Sequence, residues 1–174
     1  MPSLISLRWS GLADKAMSKV RTCLWFGKDA EAAVRFYVSL VPGSSLESIV
    51  RSPGNWPGGQ AGDVIVVTFT LGGQSFLALN GGAPANYGTA ASLSVECADQ
   101  AEVDRLWTAL TADGGSEMMC GWLRDRWGVP WQIVPEMLPR LLADPDPAVS
   151  GRVFAAMINM VKLDIAALEH AAMA

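Results

Sequence analysis

The side chains best suited to covalent chemistry lie in one aromatic-rich stretch, CGWLRDRWGVPWQIVP, which runs from Cys120 to Pro135. Cys120 is a candidate catalytic nucleophile. A cysteine attacks as a thiolate, which requires a neighbouring base or cation. The single histidine, His170, lies near the C-terminus in a different predicted element. Cys120 is therefore weighed against the alternative that it is a small buried residue.

The same stretch contains an amide that is suited to binding instead of catalysis. Gln132 interrupts the apolar run WQIV. A buried amide needs hydrogen-bond partners, and these come either from a ligand or water in a cleft or from a neighbouring Ser or Thr. Asn80, in the run LNGG, can reach a ligand in the same way, or it shapes the turn before Gly81, because Asn and Gly tolerate positive φ.

Several tryptophans could form an aromatic wall around a flat or cationic ligand. Trp107 falls at a core position of a predicted helix, and Trp131 alternates with Gln132, so we expect both to pack helix against sheet. Trp25 and Trp122 remain candidate ligand-binding residues, with packing in the core as the alternative for each.

Two similar segments predict a duplicated structural unit. The first reads VRTCLWF, Asp29 and AEAAVRFYVSL; the second reads SLSVEC, Asp99 and QAEVDRLWTAL. Each is an apolar strand, a capping Asp and a helix with apolar residues at three- and four-residue spacing. In the second copy we also expect a capping box, in which Glu102 reaches back to the amide of the cap residue.

The remaining strands complete a βαβββ pattern in each copy. After the first helix come SLESIVR, GDVIVVTFTL and QSFLALN, and Gly72-Gly73 predicts a hairpin between the last two. The second copy ends in a strand near Cys120–Leu123, a turn over Arg124–Gly128 and a strand over Val129–Val134. This order predicts an α+β fold with tandem βαβββ modules that form a curved mixed sheet around a cleft.

The predicted organisation has three parts. Residues 1–17 do not join the pattern and are interpreted as a disordered extension, with Met17 as an alternative start. The paired modules occupy residues 18–135, at about 18–85 and 90–135. A C-terminal helical appendix occupies residues 136–174, with Asp146-Pro147 and Asp164 as helix caps.

The appendix predicts association of two copies. Its helices, VSGRVFAAMINMV and DIAALEHAA, have wide apolar faces that include Met157 and Met160. A domain of this size leaves little core to receive them. We therefore expect a homodimer, in which the helices contact the partner or seal the sheet.

Charge and composition exclude other partners. The chain has 174 residues, a net charge of −4 and a pI near 4.9, and no Lys/Arg cluster that would bind nucleic acid. Its apolar runs are too short to span a membrane. The three cysteines are widely spaced, which is typical of reduced thiols in a cytoplasmic protein.

Four segments resemble the vicinal oxygen chelate superfamily, which includes glyoxalase I, bleomycin-resistance proteins and extradiol dioxygenases. They are CLWF with DAEAAVRFYVSLVPGS, then FLALNGG, VECADQAEVDRLWTALTADGG and CGWLRDRWGVPWQIVP. They are most similar to the PhnB-like branch, whose members often carry the name 3-demethylubiquinone-9 3-methyltransferase. The tail LLADPDPAVSGRVFAAMINMVKLDIAALE also resembles that branch, so the resemblance covers roughly Ser18 to Glu169.

The resemblance implies where a metal would bind in the enzymes of the superfamily: four side chains, mostly His and Glu, on the first and fourth strands of each module. Those positions fall within one residue of Thr22, Leu77, Ser92 and Gln132. None is a His or a carboxylate, so we predict no metal and no other cofactor. Thr22, Ser92 and Ser94 are instead expected to accompany Gln132 in a ligand-binding cleft.

The methyltransferase name receives no support from a cofactor motif. A SAM-dependent enzyme of the common fold has a Gly-rich turn that opens a helix after a strand. Here the Gly pairs at 72–73 and 81–82 flank a strand.

Three functions remain open: a metal-free small-molecule-binding protein of the bleomycin-resistance type, an enzyme that uses unexpected metal ligands or Cys120, and a protein-interaction module that acts through its C-terminal helices.

Overall fold

The computed structural model describes residues 19–174. The predicted extension and the alternative start at Met17 lie outside this range. The chain divides into two compact units, of which the first ends at Ala83 and the second is Pro84–Ala174. Among the described residues, no helix has the length and apolar character needed to cross a membrane.

The first unit is one βαβββ module. Its elements are β1 (Thr22–Phe26), α1 (Ala30–Leu40), β2 (Ser45–Arg51), β3 (Val64–Leu71) and β4 (Gln74–Asn80). The strands form a four-stranded sheet in the order β1-β4-β3-β2, in which β1 is parallel to β4 and the other pairs are antiparallel. The predicted Gly72-Gly73 hairpin is confirmed, because both glycines have positive φ, 54° and 83°, as a two-residue turn of this kind requires.

The second unit repeats the module and adds helices. Its elements are β5 (Leu93–Cys97), α2 (Gln100–Thr111), β6 (Ser116–Glu117), β7 (Trp122–Arg124), β8 (Pro130–Pro135), α3 (Leu138–Leu142), α4 (Pro147–Met157) and α5 (Ile165–Met173). The sheet order is β5-β8-β7-β6, with β5 parallel to β8. The predicted α+β class and the duplicated modules are thus confirmed, as two mixed four-stranded sheets. A single curved sheet around one shared cleft stays a prediction.

One face of each sheet is covered by the helix of its module, and alternation along the strands decides which residues lie there. In the second unit, Leu123, Trp131 and Ile133 are almost fully buried on this face, as are Leu106 and Trp107 of α2. The packing roles predicted for Trp107 and Trp131 are therefore confirmed. The opposite side of each sheet, here called its open face, is where partly exposed polar residues of the strands lie.

The N-terminus of α1 is capped differently from the prediction. Asp29 is the N-cap residue by position, but its side chain makes no capping hydrogen bond. Instead Asn80 Oδ1, at the end of β4, accepts the Ala30 amide at 2.9 Å, and Asn80 Nδ2 donates to the Val64 carbonyl at 2.9 Å. Asn80 is buried, and its paired amide connects α1 to β3 and β4.

The N-terminus of α2 has the predicted cap with one difference. Asp99 Oδ1 accepts the Glu102 amide at 2.8 Å, as expected for an N-cap. The Glu102 carboxylate reaches back to the amide of Ala98, one residue before the predicted cap amide. Two amides at the helix start are still satisfied, so the stabilising effect of a capping box is retained.

The C-terminal helices form a core of their own, which corrects the expectation that little core would be left to receive them. Leu138, Val153, Leu163 and Leu168 are buried together, and the partly buried residues packed against them include Val134 of β8, Met157 and Met160. The caps predicted at Asp146 and Asp164 are confirmed, since their carboxylates accept the amides of Ala148 and Ala167.

The segment after α4 also binds the sheet through its backbone. The amides of Cys120 and Gly121 donate to the carbonyls of Met160 and Val161, each at 2.8 Å. Gly121 has a φ of 77°, and a Cβ at this position would lie 2.9 Å from Leu163 Cδ1. Glycine is therefore required where this segment crosses the start of β7. The helices seal one end of the sheet, as one of the two alternatives predicted.

Replacing Asn80 tests the unexpected cap. We expect Asn80→Ala to lower the free energy of unfolding by about 2 kcal/mol, because a buried amide and a partly buried carbonyl both lose their partner. Asp29→Ala is the matched control and should cost less than about 1 kcal/mol, since only its charge near the helix end is lost. Urea unfolding measures both. An equal loss in the two variants would contradict the assignment.

Candidate functional site

The open face of the second sheet brings together most of the residues predicted to bind a ligand. Ser94 of β5 is paired with Gln132 of β8, and Gln132 is paired with Trp122 of β7. Paired residues in neighbouring strands lie on the same side of a sheet. Ser94, Gln132 and Trp122 therefore form one row across three strands, and all three are at least partly exposed.

Ser92 joins this row through a hydrogen bond. Gln132 Nε2 donates to Ser92 Oγ at 2.7 Å. Of the two alternatives predicted for Gln132, the structure thus shows pairing with a neighbouring Ser. This bond fixes the amide so that Gln132 Oε1, the acceptor end of the side chain, is left for another partner. The Ser94 hydroxyl lies beside it on the exposed part of β5.

Arg124 belongs to the same face, although the sequence interpretation put it in the following turn on the solvent side. It is the last residue of β7, it pairs with Ser116 and Pro130, and it is partly buried. It follows Trp122 by two residues, so alternation puts both side chains on the open face. The signal that reveals this is the alternation WLR, with Leu123 buried between them.

The turn after β7 is held by a buried carboxylate that the sequence interpretation missed. Asp125 accepts hydrogen bonds from the amides of Trp127 and Val129, at 2.9 and 3.0 Å, and from Trp131 Nε1 at 3.0 Å. Three donors replace the water that the carboxylate loses on burial. Because Asp125 follows Arg124 directly, these bonds also determine where β7 ends.

In the first unit, the strand partner of Leu77 is Cys23 and not Thr22, which lies within the one-residue margin of the prediction. Thr22 pairs with Phe76, which is buried against α1, whereas Cys23 pairs with Leu77 on the open face. The loop between strand and cap contains Gly27 and Lys28 in the first module but only Ala98 in the second. The match between the helices therefore does not extend to the strands before them.

Trp25 lies at the end of β1 and is 41% exposed. Its Nε1 donates to the Ala83 carbonyl at 2.9 Å, and its ring covers Gly81, where a Cβ would be 1.7 Å from the ring. Gly81 is therefore required for the ring to lie there. Leu77 is partly buried and contributes an apolar side chain to the same face.

Polar groups of the first sheet satisfy one another. Thr70 Oγ1 donates to Glu47 Oε1 at 2.9 Å, and the hydroxyls of Ser48 and Thr68 lie 2.5 Å apart. Such internal pairing leaves fewer groups for a ligand than the row around Gln132 does.

A cavity of about 1000 Å³ lies at the N-terminus of α1 in the first unit, lined by Glu31, Arg35, Arg51 and Trp56 among others. Glu31 forms ion pairs with Arg35 at 2.8 Å and with Arg51 at 3.8 Å. The opposite charges compensate each other within the wall. None of the predicted ligand-binding residues except Asn80 lines it, and both ends of that amide are bound to backbone.

The donor set does not fit the divalent metal of the oxygen chelate enzymes. In the structure the strand partner of Leu77 is Cys23, one residue from the implied position Thr22, and the strand partner of Gln132 is Ser94, two residues from the implied position Ser92. Within residues 19–174, no group of three or more His, Cys, Asp or Glu side chains is arranged to bind a metal. Burial raises the pKa of the Cys23 thiol, which disfavours the thiolate that a metal binds.

Cys120 has a strained backbone but no activating partner. Its φ is 61°, which is uncommon for a residue with a side chain. Its amide is used by Met160, and within the described chain no side chain hydrogen-bonds to its sulfur. His170 lies in the last helix, α5. The positive φ of Cys120 lies directly before the close approach of Leu163 to Gly121.

Comparison with known sequences identifies the family. Residues 18–134 match the family described as 3-demethylubiquinone-9 3-methyltransferase, and the chain belongs to this family. The predicted PhnB-like branch of the vicinal oxygen chelate superfamily is therefore confirmed. The match ends before α3, so the resemblance of the tail stays a prediction. No protein of curated function matches the chain.

Several solved structures are similar to this chain. The PhnB protein of Bacillus cereus, which carries the name of the same methyltransferase, is 36% identical with a TM-score of 0.60; the match covers 67% of this chain and 98% of that protein. Protein PA1353 from Pseudomonas aeruginosa is 23% identical with a TM-score of 0.56, over 67% and 96% of the two chains. A glyoxalase/bleomycin resistance protein from Albidiferax ferrireducens is 19% identical with a TM-score of 0.44, over 67% and 96%.

Thiol alkylation tests the environments of the cysteines. Cys97 is fully buried, and burial, assisted by the nearby Glu102 charge, raises the pKa of its thiol to about 12. We expect iodoacetamide at pH 8 to modify exposed Cys23 well before Cys97, because the thiolate reacts. Since the pKa of Cys23 is also raised, its rate should keep increasing above the pH at which an ordinary thiol is half ionised.

Peptide mass spectrometry after timed quenching measures each site, and alkylation in denaturant provides the control in which the difference disappears. Equal rates for Cys23 and Cys97 in the folded protein would contradict the assigned burial.

Proposed function

We propose that this protein binds a small molecule on the open face of its second sheet and that binding requires neither a divalent metal nor another cofactor. The observation that carries the proposal is the row Ser94, Gln132 and Trp122, extended by the bond from Gln132 to Ser92. The row combines an aromatic ring, an amide acceptor and hydroxyls within a few ångströms. A few oriented polar groups beside apolar surface are typical of a ligand-binding site.

Binding is favoured over catalysis because the candidate side chains include neither a suitable metal ligand set nor an activated nucleophile. The positions implied by the resemblance, Thr22, Leu77, Ser92 and Gln132, offer hydroxyl, aliphatic and amide groups, and the strand partners Cys23 and Ser94 add one thiol and one hydroxyl. Such a set is a poor ligand set for Zn, Fe, Mn or Ni. Among the described residues no hydrogen bond is made to the Cys120 sulfur, and His170 lies in α5, so nucleophilic catalysis has no support either.

The name of the family does not add a methyl-transfer site. Gly72 and Gly73 form a hairpin turn, and Gly81 and Gly82 pack against Trp25 and Gly58. Neither pair opens a helix, which is where the phosphates or ribose of a nucleotide cofactor would be bound.

We also propose that the protein is a homodimer in the cytoplasm. Phe154 lies in the last turn of α4, and Ile158 is the residue that caps the end of this helix. Their side chains are 52% and 42% exposed, and Val161 follows at 38%. An apolar strip of this kind is covered in most soluble proteins. Because most oligomers consist of identical chains, a second copy is the expected partner. The three unpaired cysteines favour a reducing compartment.

Native mass spectrometry of protein purified without added metal tests the binding function. We expect the small molecule retained from the cell to appear as a reproducible non-covalent mass, and we expect metal analysis after dialysis to show no stoichiometric ion. Gln132→Leu should abolish the retained mass, because the acceptor and the bond to Ser92 are both lost. Gln74→Leu, on the exposed β3–β4 hairpin, is the matched control and should keep it. A stoichiometric metal that survives dialysis would refute the metal-free assignment.

Charges on the apolar strip test the dimer. Phe154→Glu combined with Ile158→Glu should convert the protein to a monomer in sedimentation velocity, because buried carboxylates without partners oppose association. The exposed Gln74→Glu serves as the control and should leave the sedimentation coefficient unchanged. A wild-type protein that sediments as a monomer at high concentration would refute the proposal.

A further inference from the structure

Building on the proposed binding function, we infer that the ligand carries an anionic group, a carboxylate or a phosphate, next to one flat ring, and that Arg124 binds the anion. The sequence interpretation left Arg124 out of the site. Its place on β7, two residues after Trp122, brings a guanidinium into the row that Gln132 and Ser94 define.

The charge of Arg124 is not used by the protein. Within residues 19–174, its guanidinium forms no ion pair and no hydrogen bond. Arg126, two residues further on, is different: it binds Asp113 at 2.7 Å and stacks 4.4 Å above the ring of Trp127. Arg124 is nevertheless partly buried, whereas Arg126 is exposed.

No acidic residue on the open face of the second sheet is placed to compensate it. The neighbouring Asp125 is turned to the other side and is saturated by three donors. Glu96 of β5 does lie on the open face, but it pairs with Val134, at the opposite end of β8 from Pro130, the partner of Arg124. Glu96 and Arg124 are therefore four residues apart along the strands and two strand spacings apart across the sheet. Together these offsets separate the two residues by about 16 Å.

A guanidinium in this position favours an anion with two oxygens in one plane. Arginine presents parallel N–H donors that match a carboxylate or a phosphate in a two-bond arrangement. Partial burial strengthens the attraction, because fewer waters screen it. An anion thus satisfies donors that the fold leaves open.

The surrounding residues restrict the rest of the ligand. Trp122 and Arg124 are next neighbours on one face of a strand, about 7 Å apart. This separation matches one ring stacked on the indole with its anionic substituent on the guanidinium. Gln132 Oε1 then lies beside the ring as an acceptor, and it favours a ring that also bears a hydroxyl or amine donor. The ligand class is therefore a monocyclic aromatic acid or phosphate ester.

The test compares three probes on the full chain: benzoate, phenyl phosphate and the neutral benzamide. Titrations followed by isothermal calorimetry and by NMR of the Trp122 indole N–H report affinity and place. In the wild type we expect at least one of the anions to bind about tenfold or more tightly than benzamide, and to shift the Trp122 signal. The preferred anion distinguishes a carboxylate ligand from a phosphate ligand.

Substitutions then assign the effect to one side chain. Arg124→Gln should weaken the preferred anion by about tenfold or more and leave benzamide unchanged, because only the charge and its paired donors are lost. Arg124→Lys keeps the charge without the fork and should fall between the two. Arg126→Gln removes the same charge from a residue already paired with Asp113, and it should have no effect.

The outcomes separate this inference from the proposed function. Equal affinity for benzoate, phenyl phosphate and benzamide, with a shift at Trp122, would overturn the role of Arg124 and leave the binding face in place. An equal loss of anion binding in Arg124→Gln and Arg126→Gln would also overturn it, since the attraction would then be non-specific charge. The absence of any shift at Trp122 with all three probes would overturn both proposals.

Discussion

The parallel pairing of the first and last strands of each module determines which side chains can meet. β1 lies beside β4 and β5 beside β8, so residues from the two ends of a module share one row. The module helix covers one side of that sheet and requires apolar residues there. Asn80, a buried polar residue of these strands, is accordingly hydrogen-bonded at both ends of its amide, whereas Ser94 and Gln132 lie on the other side. This constraint brings Ser94 to Gln132, although they are distant in sequence.

Alternation also separates charges that are adjacent in the chain. Arg124 and Asp125 are neighbours, and in solution they would compensate each other. In the structure the carboxylate turns inward to Trp131 and two amides, while the guanidinium remains on the open side. The inward carboxylate stabilises the turn, and this leaves the cation without its nearest counter-charge. A structural hydrogen-bond network thus leaves a positive charge on the open face of the second sheet.

Local patterns were sufficient to predict the helices, most strands and the caps at Asp99, Asp146 and Asp164, because each depends on neighbouring residues. Long-range placement was not predictable in the same way. The cap of α1 comes from Asn80, which lies outside the sequence pattern of the helix. The strand partner of Leu77 is Cys23 instead of Thr22, because the loops before the two helices differ in length. Gln132 and Ser92 were predicted together, but only the folded structure shows that their side chains are hydrogen-bonded. Arg124 was missed because the end of β7 depends on tertiary bonds to Asp125.

The backbone bonds from Cys120 and Gly121 to Met160 and Val161 have a consequence for how the molecule opens. These bonds join the start of β7 to a segment beyond the region shared with the family, which ends at residue 134. Undocking of the last helices breaks them without disturbing the other strand pairs. The amides of Cys120 and Gly121 therefore exchange their hydrogens at the rate of that partial unfolding. The amides of β8 exchange more slowly, because they require unfolding of the whole unit. The C-terminal segment and the second sheet are thus packed together in the native state but unfold in two separate steps.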